Sequence, residues 1–540
     1  MSAECYPMSV LPHVSRLYGD YLAMSEQPPD AAIRLWYGSE PASGGWMGRD
    51  IQAADALKLA DLLTRQSKEF GAGAASLANI EKLRAGARAV VTGQQVGLLG
   101  GPLLTLLKAA TAVARAAEAT RATGVDHVPV FWLATEDHDL QEVDQVTLPG
   151  KHGVETLMLG LHAAGSEVGG IALGEGVKAL LESTSELLGY APICQLLAEC
   201  YRPGATLGGA FARLMTALFA KHGLIVMDAC GRDFHALGAT TLRAAIEQAA
   251  ELESALLERT KQMEDGGYHV QVLVKPGASL LFLIHEQTGR RDLLRRSGET
   301  WKAGSRSYQT SELLEILERT PERLSPNALL RPVFQDTILP TAAYVGGPAE
   351  VAYFAQSAVI YNRILGRLTP VLPRFSATLI EPAVGEVMAR HEIALNDIFA
   401  AKTPEALTQR LGARAMPIQG KRRLAAVGNA MDAELTALTE YLGDIDASLG
   451  RSALVSASKM RYQMNRLRRM AATFEVQKEA SLGRHANAMM IHLFPGEHPQ
   501  ERLLGGVWFL AQDEGLIESL VDRLVKEASE MCVGHAVVRL

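Results

Sequence analysis

The run from Ala89 to Lys108, Ala-Val-Val-Thr-Gly-Gln-Gln-Val-Gly-Leu-Leu-Gly-Gly-Pro-Leu-Leu-Thr-Leu-Leu-Lys, constrains the fold of this chain more than any other stretch. A short apolar segment stops at Thr92-Gly93-Gln94-Gln95. It then crosses Gly97, Gly100 and Gly101 and enters an apolar helical pattern at Pro102. That order reads as strand, glycine-rich loop and helix. A second apolar run at Val128–Thr135 completes a βαβ crossover, the unit of a parallel sheet. Ligands of open α/β sheets sit outside the carboxyl ends of the strands. Here the glycines allow backbone to approach a ligand, and the helix N-terminus offers N–H groups to an anion. The loop matches neither the P-loop nor the dinucleotide spacing, and its glycines equally suit a tight strand-to-helix turn. Gln94 and Gln95 are not favoured turn residues, and each carries both a donor and an acceptor. Lys108 either neutralises a phosphate as a point charge or faces solvent.

The second informative stretch is Phe131-Trp-Leu-Ala-Thr-Glu136-Asp137-His138-Asp139, a buried strand ending in a burst of polar groups. Glu136, Asp137 and His138 stand where a parallel sheet presents catalytic side chains, and Glu or Asp beside His suits acid–base work. The same cluster, with Glu142 and Asp144, lacks a recognisable metal-ligand spacing, so no metal site is expected. The strand–glycine–helix pattern returns at Gly346-Gly347-Pro348-Ala-Glu350-Val-Ala-Tyr353, where Glu350, Tyr353 and Gln356 recur near one helical face. That face lines a pocket or meets water. Arg374 and Ser376, in a proline-marked segment, either bind an anion or lie on a surface loop. No Ser–His–Asp or Cys–His order stands out, which leaves a covalent hydrolase without support.

At 540 residues the chain is long enough for about three or four domains, and its 48% hydrophobic content supplies a large core. A net charge of -7 argues against a general polyanion binder. The five cysteines (Cys5, Cys194, Cys200, Cys230, Cys532) form no C-x-x-C pair, and are expected to be buried or inert thiols. No signal peptide opens the chain and no uncharged run is long enough to span a bilayer, so a cytoplasmic location without membrane contact is expected.

Gly223–Asp228 reads as a further parallel strand with an acid at its carboxyl end, and Thr337–Val345 closes on the second glycine pair. Val270–Val274, Leu280–Ile284 and Arg290–Leu294 suggest a small antiparallel insertion. Beyond Lys421 the pattern changes. Met431, Leu435, Leu438, Leu442, Ile445 and Leu449 form one heptad series, and Ala453, Ala457, Met460, Met464, Leu467, Ala471 and Phe474 another. A turn at Gly450 within Ala447–Arg451 would set two helices antiparallel, each on the order of 35 Å or longer. The basic residues Lys459, Arg461, Arg466, Arg468 and Arg469 read as a solvated face rather than a nucleic-acid surface.

Several of these motifs together resemble one family, the cysteine ligases of bacillithiol biosynthesis (BshC). The resemblance rests on Val91–Leu98 with Gly101–Lys108, on Pro129–His138, on Leu330-Arg-Pro-Val-Phe-Gln-Asp336 and on Tyr344-Val-Gly-Gly-Pro348. Pro373-Arg-Phe-Ser376, Phe494-Pro-Gly and Gln500-Glu-Arg502 extend it over nearly the whole chain. Ala349 departs from the pattern, standing where the family carries glycine. The resemblance implies a Rossmann-like parallel-sheet core of the class I synthetase or nucleotidyltransferase kind, with small insertions and an antiparallel helical coiled-coil hairpin. Residues 1–385 would form the core, with inserted segments at about 149–222 and 265–325; 386–490 the arm; and 491–540 a return to the core. It further implies a carbon–nitrogen ligase joining cysteine to glucosaminyl-malate, with ATP and Mg2+, working as a homodimer through the arm. Thr92, Gly93, Gln94, Gln95, Gly101 and Lys108 would then contact the nucleotide. Glu136, Asp137 and His138 would serve catalysis, and Gly346, Gly347, Glu350, Tyr353, Arg374 and Ser376 would bind substrate. A non-catalytic nucleotide-binding or assembly protein, and a nucleotidyltransferase acting on another small acid, are the alternatives.

Overall fold

The computed structural model describes every residue except 1–3, 13, 25–30, 38–43, 163–164, 513–516 and 532. The chain divides into two compact units. The first comprises Met1–Pro149, Glu155–Thr378 and Glu501–Val537; the second comprises Gly150–Val154, Leu379–Gln500 and Val538–Leu540.

The first unit is built on a five-stranded parallel sheet of β1 (Arg88–Gln94), β2 (His127–Leu133), β3 (Ile225–Asp228), β4 (Thr341–Gly346) and β5 (Val371–Pro373). Its order is β5-β4-β1-β2-β3, every neighbouring pair parallel. Both faces are covered, so β2 and β4 are buried along their whole length and read as unbroken apolar runs rather than alternating ones. The chain winds from β1 outward through β2 to β3, then returns to lay β4 on the other side of β1. That reversal places a crevice at the carboxyl ends of β1 and β4, the topological switch point of a doubly wound sheet.

Helix α1 (Leu104–Thr123) follows β1, α2 (Arg331–Ile338) precedes β4, and α3 (Pro348–Ile364) follows it. Ala112, Ala116 and Ala119 of α1 pack on Val90, Ala343 and Val345 of the sheet. Small side chains at that spacing let the helix axis lie close to the strands, and Gly124 ends α1 in the left-handed region at φ 70°.

The expected antiparallel insertion is a five-stranded sheet in the order Arg306–Gln309, Thr300–Ala303, Arg291–Ser297, Ala278–Ile284, Leu324–Pro326. Val270–Val274 is not one of its strands. The Gln356 side chain instead binds the backbone of Val272 on both sides, accepting from its N–H at 3.0 Å and donating to its carbonyl at 2.8 Å. That explains Gln356 as a structural residue rather than part of an open polar face. Cys194, Cys200 and Cys230 are free thiols, whereas Cys5 is disulfide-bonded, so the expectation of inert thiols throughout is corrected there.

In the second unit α4 (Ile418–Ile445) and α5 (Ala447–Lys478) form the predicted antiparallel helical hairpin. The turn falls at Asp446, four residues before the expected glycine. The Asp446 carboxylate caps α5 by accepting from the N–H groups of Ser448 and Leu449 at 2.8 and 3.0 Å. Gly450 lies inside α5 for a different reason: a Cβ there would sit 2.6 Å from the Cα of Gly443 on the facing helix. Of the two heptad series, Leu435, Ala457 and Met464 are buried, while Leu438, Ile445, Leu449, Met460, Leu467 and Phe474 remain exposed. The hairpin thus covers only part of the apolar seam it carries. Among the described residues, no helix is long and apolar enough to cross a membrane.

Candidate active site at the switch point

Two polar clusters meet at the carboxyl edge of the parallel sheet. The first lies between the ends of β1 and β4. Thr92 is fully buried and donates to the carbonyl of Val345 at 2.9 Å, tying the two strands together. A Cβ on Gly93 would fall 2.9 Å from the Trp132 carbonyl, so glycine is needed for β1 to pass β2 at that point. Lys108 reaches back from α1, and its ammonium donates to the Gly93 carbonyl at 2.9 Å and to Gln94 Oε1 at 2.8 Å. The same ammonium is ion-paired with Glu350, the third residue of α3. Glu350 also accepts from the Gly347 N–H at 3.2 Å, and a Cβ on Gly346 would lie 2.8 Å from the Glu350 Cβ. The two glycine motifs therefore close on one buried ion pair, whose partners Lys108 and Glu350 are 242 residues apart in sequence.

Burial opposes both charges of that pair. For Lys108 burial prevails and its pKa is lowered, with Glu350 restoring part of it. For Glu350 burial would raise the pKa, but the Lys108 ammonium outweighs it and the carboxyl is held below its usual range. Arg331 of α2 stands beside them with neutral partners among the described residues: it donates to the Tyr353 hydroxyl at 2.9 Å and to Gln335 Oε1 at 3.0 Å, and stacks over the Tyr344 ring. Sequence reasoning did not single it out, although Arg331-Pro332 opens α2 within a quoted motif.

Arg374 and Ser376 are not on a surface loop. Arg374 is buried and meets an anion of its own chain, donating to the two Glu501 oxygens at 2.6 and 2.9 Å. Ser376 donates to Glu501 at 3.0 Å and lies 2.8 Å from His535 Nδ1.

The glycine loop also differs from the expectation of a phosphate cradle. The N–H of Gly97 donates to the Gln95 carbonyl, that of Gly100 to the Gly97 carbonyl and the Tyr201 hydroxyl, and that of Gly101 to the Leu98 carbonyl. Gly101 adopts φ 69°, and its carbonyl accepts from Gly506. The start of α1 is covered likewise, with the Leu103 N–H donating to the Leu504 carbonyl. These amides are already used within the fold, so Gly101 shapes the turn, while the side chains of Gln94 and Gln95 are part-exposed.

The second cluster sits at the end of β2. Gln95 joins it to the first by donating to Asp137 Oδ2 at 2.8 Å, and Asp137 Oδ1 accepts from the His138 N–H at 2.7 Å. His138 is exposed, with Nδ1 3.2 Å from an Arg291 nitrogen, so Nδ1 accepts. Glu136 is ion-paired at 3.0 Å with His235, which is fully buried. The other ring nitrogen of His235 faces the Pro321 carbonyl at 3.2 Å. Burial would lower the pKa of His235, yet Glu136 overrides it and the pKa is raised, which favours the imidazolium beside the Glu136 carboxylate. At the end of β3, Asp228 accepts from the Thr135 hydroxyl at 2.5 Å, and burial raises its pKa. Glu167 and Arg291 arrive from the two inserted segments. His235, Glu167 and Arg291 carry no local sequence signal, whereas Asp228 was legible as a strand-end acid.

The fold and the site define a Rossmann-like α/β protein whose polar residues gather at the switch point. The N-terminal Rossmann-like domain described for bacillithiol biosynthesis BshC matches residues 1–375, and the C-terminal coiled-coil domain of the same description matches residues 377–535. A protein of Koribacter versatilis named "Putative cysteine ligase BshC" is 41% identical over 543 residues, covering 100% of both chains. Proteins of that name from Solibacter usitatus and Salinibacter ruber are 34% and 31% identical, covering 100% and 94% of both chains respectively. This chain belongs to the BshC family.

Proposed function

We propose that the chain is a cysteine ligase that forms an amide between the carboxyl of cysteine and the amine of glucosaminyl-malate. A carboxylate is a poor electrophile, so it must first be activated, and ATP is the proposed source of activation. The observation that carries this reading is Arg331. It is a part-buried guanidinium at the switch point with no carboxylate partner among the described residues, beside the buried ammonium of Lys108. A cation left over from internal pairing is suited to an anionic ligand, and a planar guanidinium suits a phosphate. Gln94, Gln95 and Tyr353 add polar groups to the same edge. Glu136, Asp137 and His138, joined to that edge through Gln95, would orient the attacking amine or take its proton.

Among the described residues, no group of three or more His, Cys, Asp or Glu could hold a metal on its own. Magnesium would arrive with the nucleotide, because Mg2+ is commonly held by one or two carboxylates together with substrate phosphates. The exposed seam residues of α4 and α5 support dimer formation through the arm.

The test is purified protein with ATP, magnesium, cysteine and glucosaminyl-malate, read by mass spectrometry for the thiol conjugate and for AMP or ADP. Conjugate with AMP establishes an adenylating ligase, and conjugate with ADP an acyl-phosphate one. Absence of conjugate with both substrates intact refutes the reading.

A further inference from the structure

Glu167 lies outside every motif, yet the fold seats it against the end of β2 with some care. The Val168 N–H donates to the Asp137 carbonyl at 2.8 Å and the Gly169 N–H to the Thr135 carbonyl at 3.0 Å, so residues 167–169 run beside Thr135–Asp137. The approach depends on glycines. A Cβ on Gly169 would lie 2.4 Å from the Thr135 Cβ, and one on Gly208 would lie 2.9 Å from the Gly169 carbonyl oxygen. Each other acid of the cluster already has a hydrogen-bond donor or an ion-pair partner. Asp137 accepts from Gln95 and the His138 N–H, Asp228 from Thr135 and the Cys230 N–H, and Glu136 is paired with His235. Glu167 Oε1 is buried and accepts no hydrogen bond among the described residues.

We propose that Glu167 is the group that accepts the proton of the attacking amine in the ligation step; this rests on the functional reading above. A primary ammonium has no lone pair, so one proton must pass to a base before its nitrogen can attack. That proton goes to the Glu167 carboxylate. The nitrogen then bonds to the carbonyl carbon of the activated cysteine as the bond from that carbon to the nucleotide or phosphate oxygen breaks. The second N–H proton leaves to water.

The surroundings tune the group for this task. Burial raises the Glu167 pKa most, the charges of Glu136 and Asp228 add to it, Arg291 and His235 oppose it, and the outcome is a carboxyl pushed up to about 8. A base of that strength is matched to an amine near pH 8, where an ordinary carboxylate is too weak.

The test compares wild type with Glu167→Gln in two reactions. In full ligation the variant is expected to lose about 100-fold or more in single-turnover rate, together with the rise of rate with pH centred near 8 in wild type. ATP-dependent activation of cysteine without amine needs no amine proton, so release of pyrophosphate (adenylate route) or ADP (acyl-phosphate route) there is expected within twofold of wild type. A variant that ligates within threefold of wild type with the same pH profile overturns the proposal. So does one that loses activation and ligation equally, which marks a structural role. If wild type itself activates no cysteine and makes no conjugate, the functional reading falls and the catalytic role with it. A separate readout needs no substrate. Folded Glu167 holds its proton up to about 8, so wild type loses stability as pH rises from about 5 to 8. The melting-temperature gain of Glu167→Gln over wild type should grow across that interval, and a constant difference overturns the proton-holding role.

Discussion

Replacing Glu350 by Gln keeps the size of the side chain and removes one charge of the pair that joins the two glycine motifs. Lys108 is then left with two neutral acceptors, the Gly93 carbonyl and Gln94 Oε1, while its side chain is only 3% exposed. Removing one partner of a buried ion pair typically costs about 3–5 kcal/mol. The two remaining hydrogen bonds and the 15% exposure of the Glu350 side chain favour the lower end, about 3 kcal/mol at pH 7. The sign of the pH dependence follows from the shifts. Glu350 has a depressed pKa, so its contribution is fully present above the ordinary carboxylate range and is lost only in acid. Lys108 has a lowered pKa in wild type, and loss of Glu350 lowers it further. A lysine that can shed its proton escapes the burial penalty, so the deficit of Glu350→Gln should shrink as pH rises from about 7 to 9. Lys108→Met combined with Glu350→Gln removes both charges and should recover most of the loss, to within about 1.5 kcal/mol of wild type. Urea unfolding followed by tryptophan fluorescence, comparing the same transition in all three chains at both pH values, measures each of these. A Glu350→Gln deficit below about 1 kcal/mol, or a double variant no better than the single one, refutes the claim that this pair is a buried, mutually dependent unit.

Arg331→Met should weaken ATP binding measured by calorimetry about 10- to 100-fold, the loss of one charge-assisted contact, while the melting temperature stays near wild type. Gly93→Ala places a methyl 2.9 Å from the Trp132 carbonyl and should lower stability by about 1–3 kcal/mol, seen as an earlier unfolding transition. Asp446→Ala removes the α5 cap and should cost about 1 kcal/mol, with Asp446→Asn recovering most of it in thermal melts. If the proposed dimer forms through the arm, lysine at both Leu438 and Leu467, two exposed seam positions, should convert it to a monomer in sedimentation velocity without lowering helicity.

The parallel sheet was legible because strands buried on both faces must be apolar throughout, and because glycine punctuates β1 and β4 where their chains turn away. Thr92–Gln95, Lys108, Gly346, Gly347 and Glu350 were all found from such local patterns. Their partnership was not, since it requires β4 to return beside β1 across more than two hundred intervening residues. The glycine loop misled for a related reason. Backbone amides look available in a sequence, and only the packed chain shows that Leu98, Tyr201 and Leu504 already take the bonds that Gly101, Gly100 and Leu103 offer. Gly450 was read as a turn because glycine serves turns and close helix contacts alike, and the two uses differ only in what stands opposite. Arg374 was read as binding an anion or lying on a surface loop; it is buried, and the anion it meets is Glu501.

The sequence by itself determined the α/β class, the helical hairpin and the edge of the sheet on which polar groups collect, because periodicity and strand-end chemistry are local properties. Only the tertiary structure decided which groups face each other there. Glu136 meets His235, Gln95 meets Asp137, and Glu167 is carried to the end of β2 by an inserted segment. Charge, burial and pKa depend on distance through space, and a chain encodes that distance only once it has closed on itself.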